Sequence, residues 1–345
     1  MKNFQPLITL TPRMLSLVTE IGEDLGRLSA IQETSQAPML RRGNRIKTIQ
    51  ASLAIENNTL SVEQVTAVLE GKRVLGLPQE IQEVRNAFAA YDAMPGWQAG
   101  SRPHLLAAHK LLMHGLIDDA GHYRKGGVGI YRGERLLHMA PPASRVADLV
   151  DELLEWASST DIHPLIASCI FHYEFEFIHP FADGNGRMGR LWQTVMLGQW
   201  RPVLAYLPVA TVIRDQQESY YSALATADQM AEATPFVEFM LAAIQTALQE
   251  AGNAESAGST AQVTAQVKRL LIGLSDRATV GAAELMGRLG LAHRQSFRTS
   301  YLIPGLASGL IEMTDPASPR SPTQQYRLSA LGIAWLNHHS PTTPG

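Results

Sequence analysis

The sequence predicts a mainly α protein, a helical bundle with one short β-hairpin flap, followed by a smaller α+β unit. Three observations carry that expectation. Apolar residues recur at helical spacing along most of the chain, most densely at Leu165, Ile166, Cys169, Ile170, Tyr173 and Phe177. The glycine-rich stretch Gly121–Ile130 alternates loosely around Val128 and Ile130 and breaks that period. Residues 251–260 are small and polar and include a glycine, which is a linker composition, and a different order of elements follows them.

With 345 residues the chain has length for two or three domains. A net charge of -3 with 45% apolar residues describes a globular chain with no global pull toward nucleic acid or membrane. Cys169 is the one cysteine, which excludes an internal disulfide framework, and its place on an apolar helix face reads as a buried structural thiol. The start lacks a basic segment followed by an apolar run, and no span approaches about 20 apolar residues. A cytoplasmic protein with no membrane contact is expected.

The elements follow in order. The chain to Asp24 mixes apolar residues with Pro6 and Pro12, and a helix is expected after it through Ala30. Ile46, Ile49, Leu53 and Ile55 form a helical stripe that Asn57 and Asn58 end in left-handed backbone. Ser52 and Glu56 share one face of that helix, a turn apart. Ser61–Gln64 reads as a capping box opening a helix that Gly71 ends. Helix is expected from Pro78 to Gly115, broken at Pro95–Gly96 and reopened by Ser101–Pro103. His104, His109 and His114 recur every five residues, about 140° per step on a helix, so they share no face and form no metal site. After Pro141 and Pro142, helix resumes over Val146–Trp156. Asp161 is expected to cap the next helix, which runs to Phe177 with Ile162 and Phe177 at the ends of its inner stripe. Helices over Gly186–Trp200, Gln216–Met230 and Pro235–Glu250 complete the bundle.

Between the two most apolar helices lies His179-Pro-Phe-Ala-Asp-Gly-Asn-Gly-Arg-Met-Gly-Arg190. Gly184 and Gly186 flank Asn185, so the backbone can turn tightly and present N–H groups to a ligand at a helix N-terminus, where anions are favoured. Arg187 and Arg190 are three apart and both reach forward to phosphates. Phe181 reads as an anchor to the core, leaving His179 and Asp183 exposed. A phosphate loop of the Gly-x-x-x-x-Gly-Lys type, a His-Glu-x-x-His helix and a Gly-x-Ser-x-Gly elbow are all absent from the sequence.

Beyond residue 260, Val263–Leu274 is expected to be helical, and Val280–Leu289 with His293–Leu306 to form a helix–turn–helix. Gly309–Thr314 and Gln325–Leu328 read as a hairpin, and that order suggests a winged helix. The unit is mildly basic, and His293, Arg294, Gln295 and Arg298 lie on the recognition-type helix, so DNA is one candidate partner and protein the other.

The motif His179-x-Phe-x-Asp-Gly-Asn-Gly-Arg-x-x-Arg190 resembles the Fic family signature at every defined position. The resemblance extends to Gly121-x-Tyr-Arg124, to Val128-x-Ile130 and to Ser219–Leu224, and the C-terminal unit resembles winged-helix tails of some bacterial Fic proteins. It implies segments 1–77 (inhibitory), 78–250 (catalytic), 251–260 (linker) and 261–340 (winged helix). It also implies transfer of AMP from ATP to a Ser, Thr or Tyr hydroxyl of a protein, possibly itself, with release of pyrophosphate. On that resemblance His179 is the general base and Asp183 the ligand of Mg²⁺, or Mn²⁺ in its place. Asn185 and the backbone at Gly184 and Gly186 would hold the α-phosphate, and Arg187 and Arg190 the β- and γ-phosphates, with Gly189 in the same nucleotide set. Tyr220 or Tyr221 borders the adenine or is a core aromatic. Val128, Gly129 and Ile130 would clamp the target by strand addition. Ser52-x-x-x-Glu56-Asn matches the family's inhibitory motif, with Glu56 pairing to Arg190 in place of the γ-phosphate. Removal of AMP, a different phosphate-containing donor, a DNA-binding regulator with the core as sensor, and a homodimer stay open as alternatives.

Overall fold

Capping residues and helix breakers set the order of elements. The computed structural model describes residues 4–31, 37–132, 135–259, 265–276, 279–291, 293–315, 321 and 323–339. It divides into two compact units, Met1–Ala30 with Ala37–Glu250, and Ile31–Gln36 with Ala251–Gly345.

The larger unit opens with α1 (Pro12–Ile31), α2 (Ala37–Ile55), α3 (Val62–Leu69), α4 (Pro78–Ala93) and α5 (Arg102–Leu112). Helix α1 starts at Pro12 rather than after Asp24: proline suits a helix's first turn, and Met14, Leu17, Ile21 and Leu25 are all buried. The capping box at Ser61 is formed, with Ser61 Oγ accepting from Gln64 N at 3.3 Å and Ser61 N donating to Gln64 Oε1 at 2.9 Å. Asn57 and Gly71 have φ of 69° each, and both follow a helix end as expected. Strands β1 (Gly129–Arg132) and β2 (Arg135–Met139) pair antiparallel, with Gly129 opposite Met139. The hairpin therefore lies beyond Gly121–Val128, which is turn and irregular backbone.

Next come α6 (Ala143–Ser159), α7 (Pro164–Ile178), α8 (Asn185–Trp200), α9 (Val209–Asp215), α10 (Gln217–Met230) and α11 (Thr234–Ser259). Asp161 does not cap α7. Pro164 takes its first position and His163 Nδ1 accepts from Leu165 N at 3.3 Å. Phe177, expected inside, is 37% exposed. Residues 251–259 continue α11, because alanines and Glu255 there sustain a helix despite two glycines; Thr260 and Val263 lie outside the described residues. Nor does 1–77 stand apart from the bundle. Ile46, Ile49, Leu53 and Leu60 pack in one core with Phe171, Phe175, Phe181 and Trp192.

The smaller unit contains α12 (Ala265–Leu274), β3 (Val280–Gly281), α13 (Ala282–Arg288) and α14 (Arg294–Phe297), which continues through a π turn at Arg298–Leu302 into α15 (Ile303–Ala307). Strands β4 (Ile311–Met313) and β5 (Gln325–Leu328) pair as expected, with β3 on the far side of β5, and α16 (Ala330–His339) follows. Leu270, Leu271, Leu274, Leu285, Phe297 and Ile311 form its own core.

Losing a side-chain cap costs a helix about 1 kcal/mol. Ser61→Ala should lower the stability of the larger unit by about that amount, read as a lower urea midpoint with unchanged slope.

Candidate active site

Helix α7 ends at Ile178, and His179 caps it with a left-handed φ of 49°. The His179 side chain, half-buried rather than exposed as expected, lines the cavity described below. The carbonyls freed there are capped by Arg124, itself 4% exposed. Its Nε donates to His179 O at 2.7 Å, and its Nη2 to Ile178 O at 3.2 Å and Pro141 O at 2.6 Å. A cation at a helix C-terminus is also favoured by the helix dipole. One residue thus fixes the start of the His179–Arg190 loop to the segment leading into the flap.

The loop after His179 is held by three further contacts. Phe181 is fully buried. The Asn185 amide closes on the Phe181 backbone, Oδ1 accepting from Phe181 N and Nδ2 donating to Phe181 O, each at 2.9 Å. The Asn185 side chain thus folds the loop with one of its two amide N–H groups, and its backbone N–H lies in the first turn of α8. His109 stacks on the Phe181 ring at 3.6 Å between centroids. Its Nδ1 accepts from Gly121 N at 2.9 Å, so Nε2 carries the proton and donates to Asp183 O at 3.0 Å. Burial pushes the His109 pKa down to about 4, keeping this bridge neutral.

Gly184 turns the chain at φ 83°, against Met113. Gly189 answers to packing. A Cβ there would sit 2.8 Å from Glu176 Oε1 and from His172 Cδ2, so Gly189 lets α7 and α8 approach.

The two arginines point to different carboxylates. Arg187 Nη2 meets Asp183 Oδ1 at 3.0 Å and Nη1 meets Glu83 Oε1 at 3.4 Å. Arg190, its side chain 3% exposed, donates from Nη2 to Glu56 Oε1 at 2.6 Å. Its Nε donates to Ser52 Oγ and its Nη2 also to Ser52 O, both at 3.0 Å. Burial works against the Arg190 charge, but Glu56, Tyr220 and Glu176 together outweigh it, and its pKa is raised. Glu56, Arg190, Gly186 and His179 line one cavity of about 190 Å³, walled by Phe177, Tyr220, Tyr221 and Leu224. Tyr220 is a core aromatic, 2% exposed with its hydroxyl 3.2 Å from His172 Nε2, and it also lines that cavity.

Val128 and Gly129 lie on the flap, where Val128 O accepts from Ala140 N at 3.1 Å. The Ile130 side chain lies outside the described residues. Asp183, with its side chain 57% exposed, accepts from Gly184 N and Arg187 on Oδ1 alone, leaving Oδ2 for a cation. Among the described residues no group of three or more His, Cys, Asp or Glu side chains is set to hold a metal ion. That donor set suits Mg²⁺ arriving with a polyphosphate rather than a resident ion.

Residues 100–197 match the model described as Fic/DOC family, and 265–329 match the C-terminal domain of filamentation induced by cAMP protein Fic-like. The solved structure of a Fic family protein from Desulfovibrio desulfuricans G20 is 60% identical, with a TM-score of 0.72 over 95% of this chain and 99% of that one. This chain belongs to the Fic family. Two curated Fic relatives, the protein adenylyltransferases Fic of Drosophila mojavensis and Drosophila virilis, are 28% and 29% identical over 238 and 243 residues. These cover 65% and 66% of this chain but only 44% and 46% of theirs, so it spans less than half their length. Fic-1 of C. elegans, 21% identical over 70% of this chain and 74% of that one with a TM-score of 0.57, shares the Fic fold.

The histidine that braces the Fic loop gives stability a pH dependence. His109 has a folded pKa depressed from about 6.5 to about 4, so the unfolded chain binds its proton first as pH falls. Its contribution is complete above pH ~6.5 and is lost between ~6.5 and ~4, amounting to about 3 kcal/mol. Denaturant titrations across that window should show this slope, and His109→Gln should flatten it.

Proposed function

We propose that this Fic protein transfers AMP from ATP to a hydroxyl side chain of a protein and is held inactive by Glu56. One observation carries the reading: His179, the N-terminus of α8, Arg190 and Glu56 line a single cavity with an apolar wall. The curated relatives named protein adenylyltransferase support the same chemistry.

His179 takes the proton of the attacking hydroxyl as its oxygen bonds to the α-phosphorus. The bond from that phosphorus to the bridging oxygen breaks and pyrophosphate leaves. Backbone N–H groups at Asn185 and Gly186 receive the charge growing on the α-phosphate, and the arginines grip the leaving phosphates. Mg²⁺ held by Asp183 would neutralise the phosphates. Tyr221 and Phe177 accept the base on the apolar wall. The edge of β1 away from β2 offers Gly129 and its neighbours for pairing with the target segment. At rest Glu56 occupies Arg190, and a triphosphate binds productively only by displacing it.

Glu56→Gly should raise AMP incorporation from labelled ATP and Mg²⁺ at least about tenfold, the equivalent of about 1.4 kcal/mol at a contested charge. Unchanged incorporation by a folded variant sinks the inhibition. His179→Ala should abolish transfer while calorimetry still detects nucleotide binding.

The smaller unit supports a second role, contact with duplex DNA. Its carboxylates Asp276 and Glu284 pair with Arg288, and Glu312 pairs with Arg327. Arg294 and Arg298, one turn apart and exposed on the helix after the turn, pair with no carboxylate among the described residues. Arg294→Ala with Arg298→Ala should remove any gel shift of duplex DNA and leave AMP transfer intact.

A further inference from the structure

Glu56 lies just beyond the last residue of α2, in a turn that Asn57 closes with φ 69°. Its own N–H donates to Leu53 O at 3.0 Å, and the turn past it is closed by Asn57 N donating to Ala54 O at 3.0 Å and Asn58 N to Leu53 O at 3.1 Å. The end of α2 is held also from the junction of α9 and α10. Arg214 Nη1 donates to Gln50 Oε1 at 2.8 Å, and Gln50 Nε2 donates onward to Leu60 O at 3.1 Å. Gln217 Nε2 donates to Ile55 O at 3.1 Å. That carbonyl belongs to the peptide unit that ends in the Glu56 nitrogen, so the bond sets the plane from which the Glu56 side chain departs. Tyr221, one turn further along α10, lines the cavity beside Glu56 and Arg190.

We propose that Gln217 is a positioning residue for inhibition: by fixing the Ile55–Glu56 peptide it holds Glu56 on Arg190. This rests on the inhibited adenylyltransferase reading above.

The test measures AMP incorporation from labelled ATP and Mg²⁺, into lysate protein and into the chain itself, for Gln217→Met and the near-isosteric Gln217→Glu. Each is made alone and together with Glu56→Gly. Losing one hydrogen bond of ordinary strength should raise activity about three- to tenfold in each single variant. In the Glu56→Gly background neither substitution should add anything, since no carboxylate is left to position. Calorimetry should find ATP binding tightened by about the same factor in the single variants. If Glu56→Gly activates and the Gln217 variants do not, or if they change activity equally in both backgrounds, the positioning role is overturned and inhibition by Glu56 stands. If Glu56→Gly itself fails to activate, both readings fall together. Should Gln217→Met fold poorly, Gln217→Glu, which keeps shape and polarity, carries the comparison.

Discussion

Arg190 is a guanidinium sealed inside the helical bundle, and that single burial constrains what surrounds it. A charged group taken out of water costs several kcal/mol unless an anion and hydrogen bonds replace the solvent. Glu56 supplies the anion, while the Ser52 hydroxyl and carbonyl accept two more of its N–H groups. All three come from α2 and the turn that ends it, so that helix cannot drift from α8 without stranding a buried cation. The shared core of Ile49, Leu53 and Trp192 secures the same interface with apolar contact. Gly186 is the matching concession in α8, since a Cβ there would lie 2.5 Å from Glu56 Oε1.

The loop before Arg190 follows a different logic. Its polar groups are consumed internally, so that a flexible-looking sequence becomes a rigid mount. Asn185 grips the Phe181 backbone, His109 ties Asp183 to Gly121, and Arg124 ties the end of α7 to the strand-bearing segment. Such bonds are modest singly, but in a dry interior each would leave a costly orphan if broken. The backbone N–H groups at the start of α8 therefore present a preformed anion site, which needs little reorganisation when charge develops.

Much of this was legible in the chain because it rests on local rules. The capping box at Ser61, the left-handed Asn57, the breaker at Pro95–Gly96 and the anchor at Phe181 each depend on a few neighbouring residues. The motif from His179 to Arg190 was equally plain. What escaped reading depends on partners distant in sequence. His109 is 74 residues from Asp183, Arg124 is 55 from His179, and periodicity marks neither as special. The bonds of the Asn185 amide to the Phe181 backbone, four residues back, were not readable from residue type either. Gly189 likewise reads as part of an anion loop, and only the approach of α7 shows that packing requires it. The linker composition of 251–259 misled for a simpler reason: alanine-rich polar stretches suit helix as well as coil.

The geometry also shows which end of the ion pair can yield. The Arg190 side chain is 3% exposed and Glu56 is 33% exposed, so the carboxylate, not the guanidinium, stands at the solvent boundary. In the proposed exchange, phosphate entering from the cavity would replace Glu56 without ever leaving Arg190 unpaired, because one anion takes over as the other turns out to water. The carboxylate recovers hydration as it leaves, which offsets part of the lost attraction. A fully buried Glu56 would instead have to be freed before the phosphate arrived, stranding two charges on the way. Half-burial of one partner is what makes a strong ion pair exchangeable, and it places control of the exchange in whatever holds the end of α2.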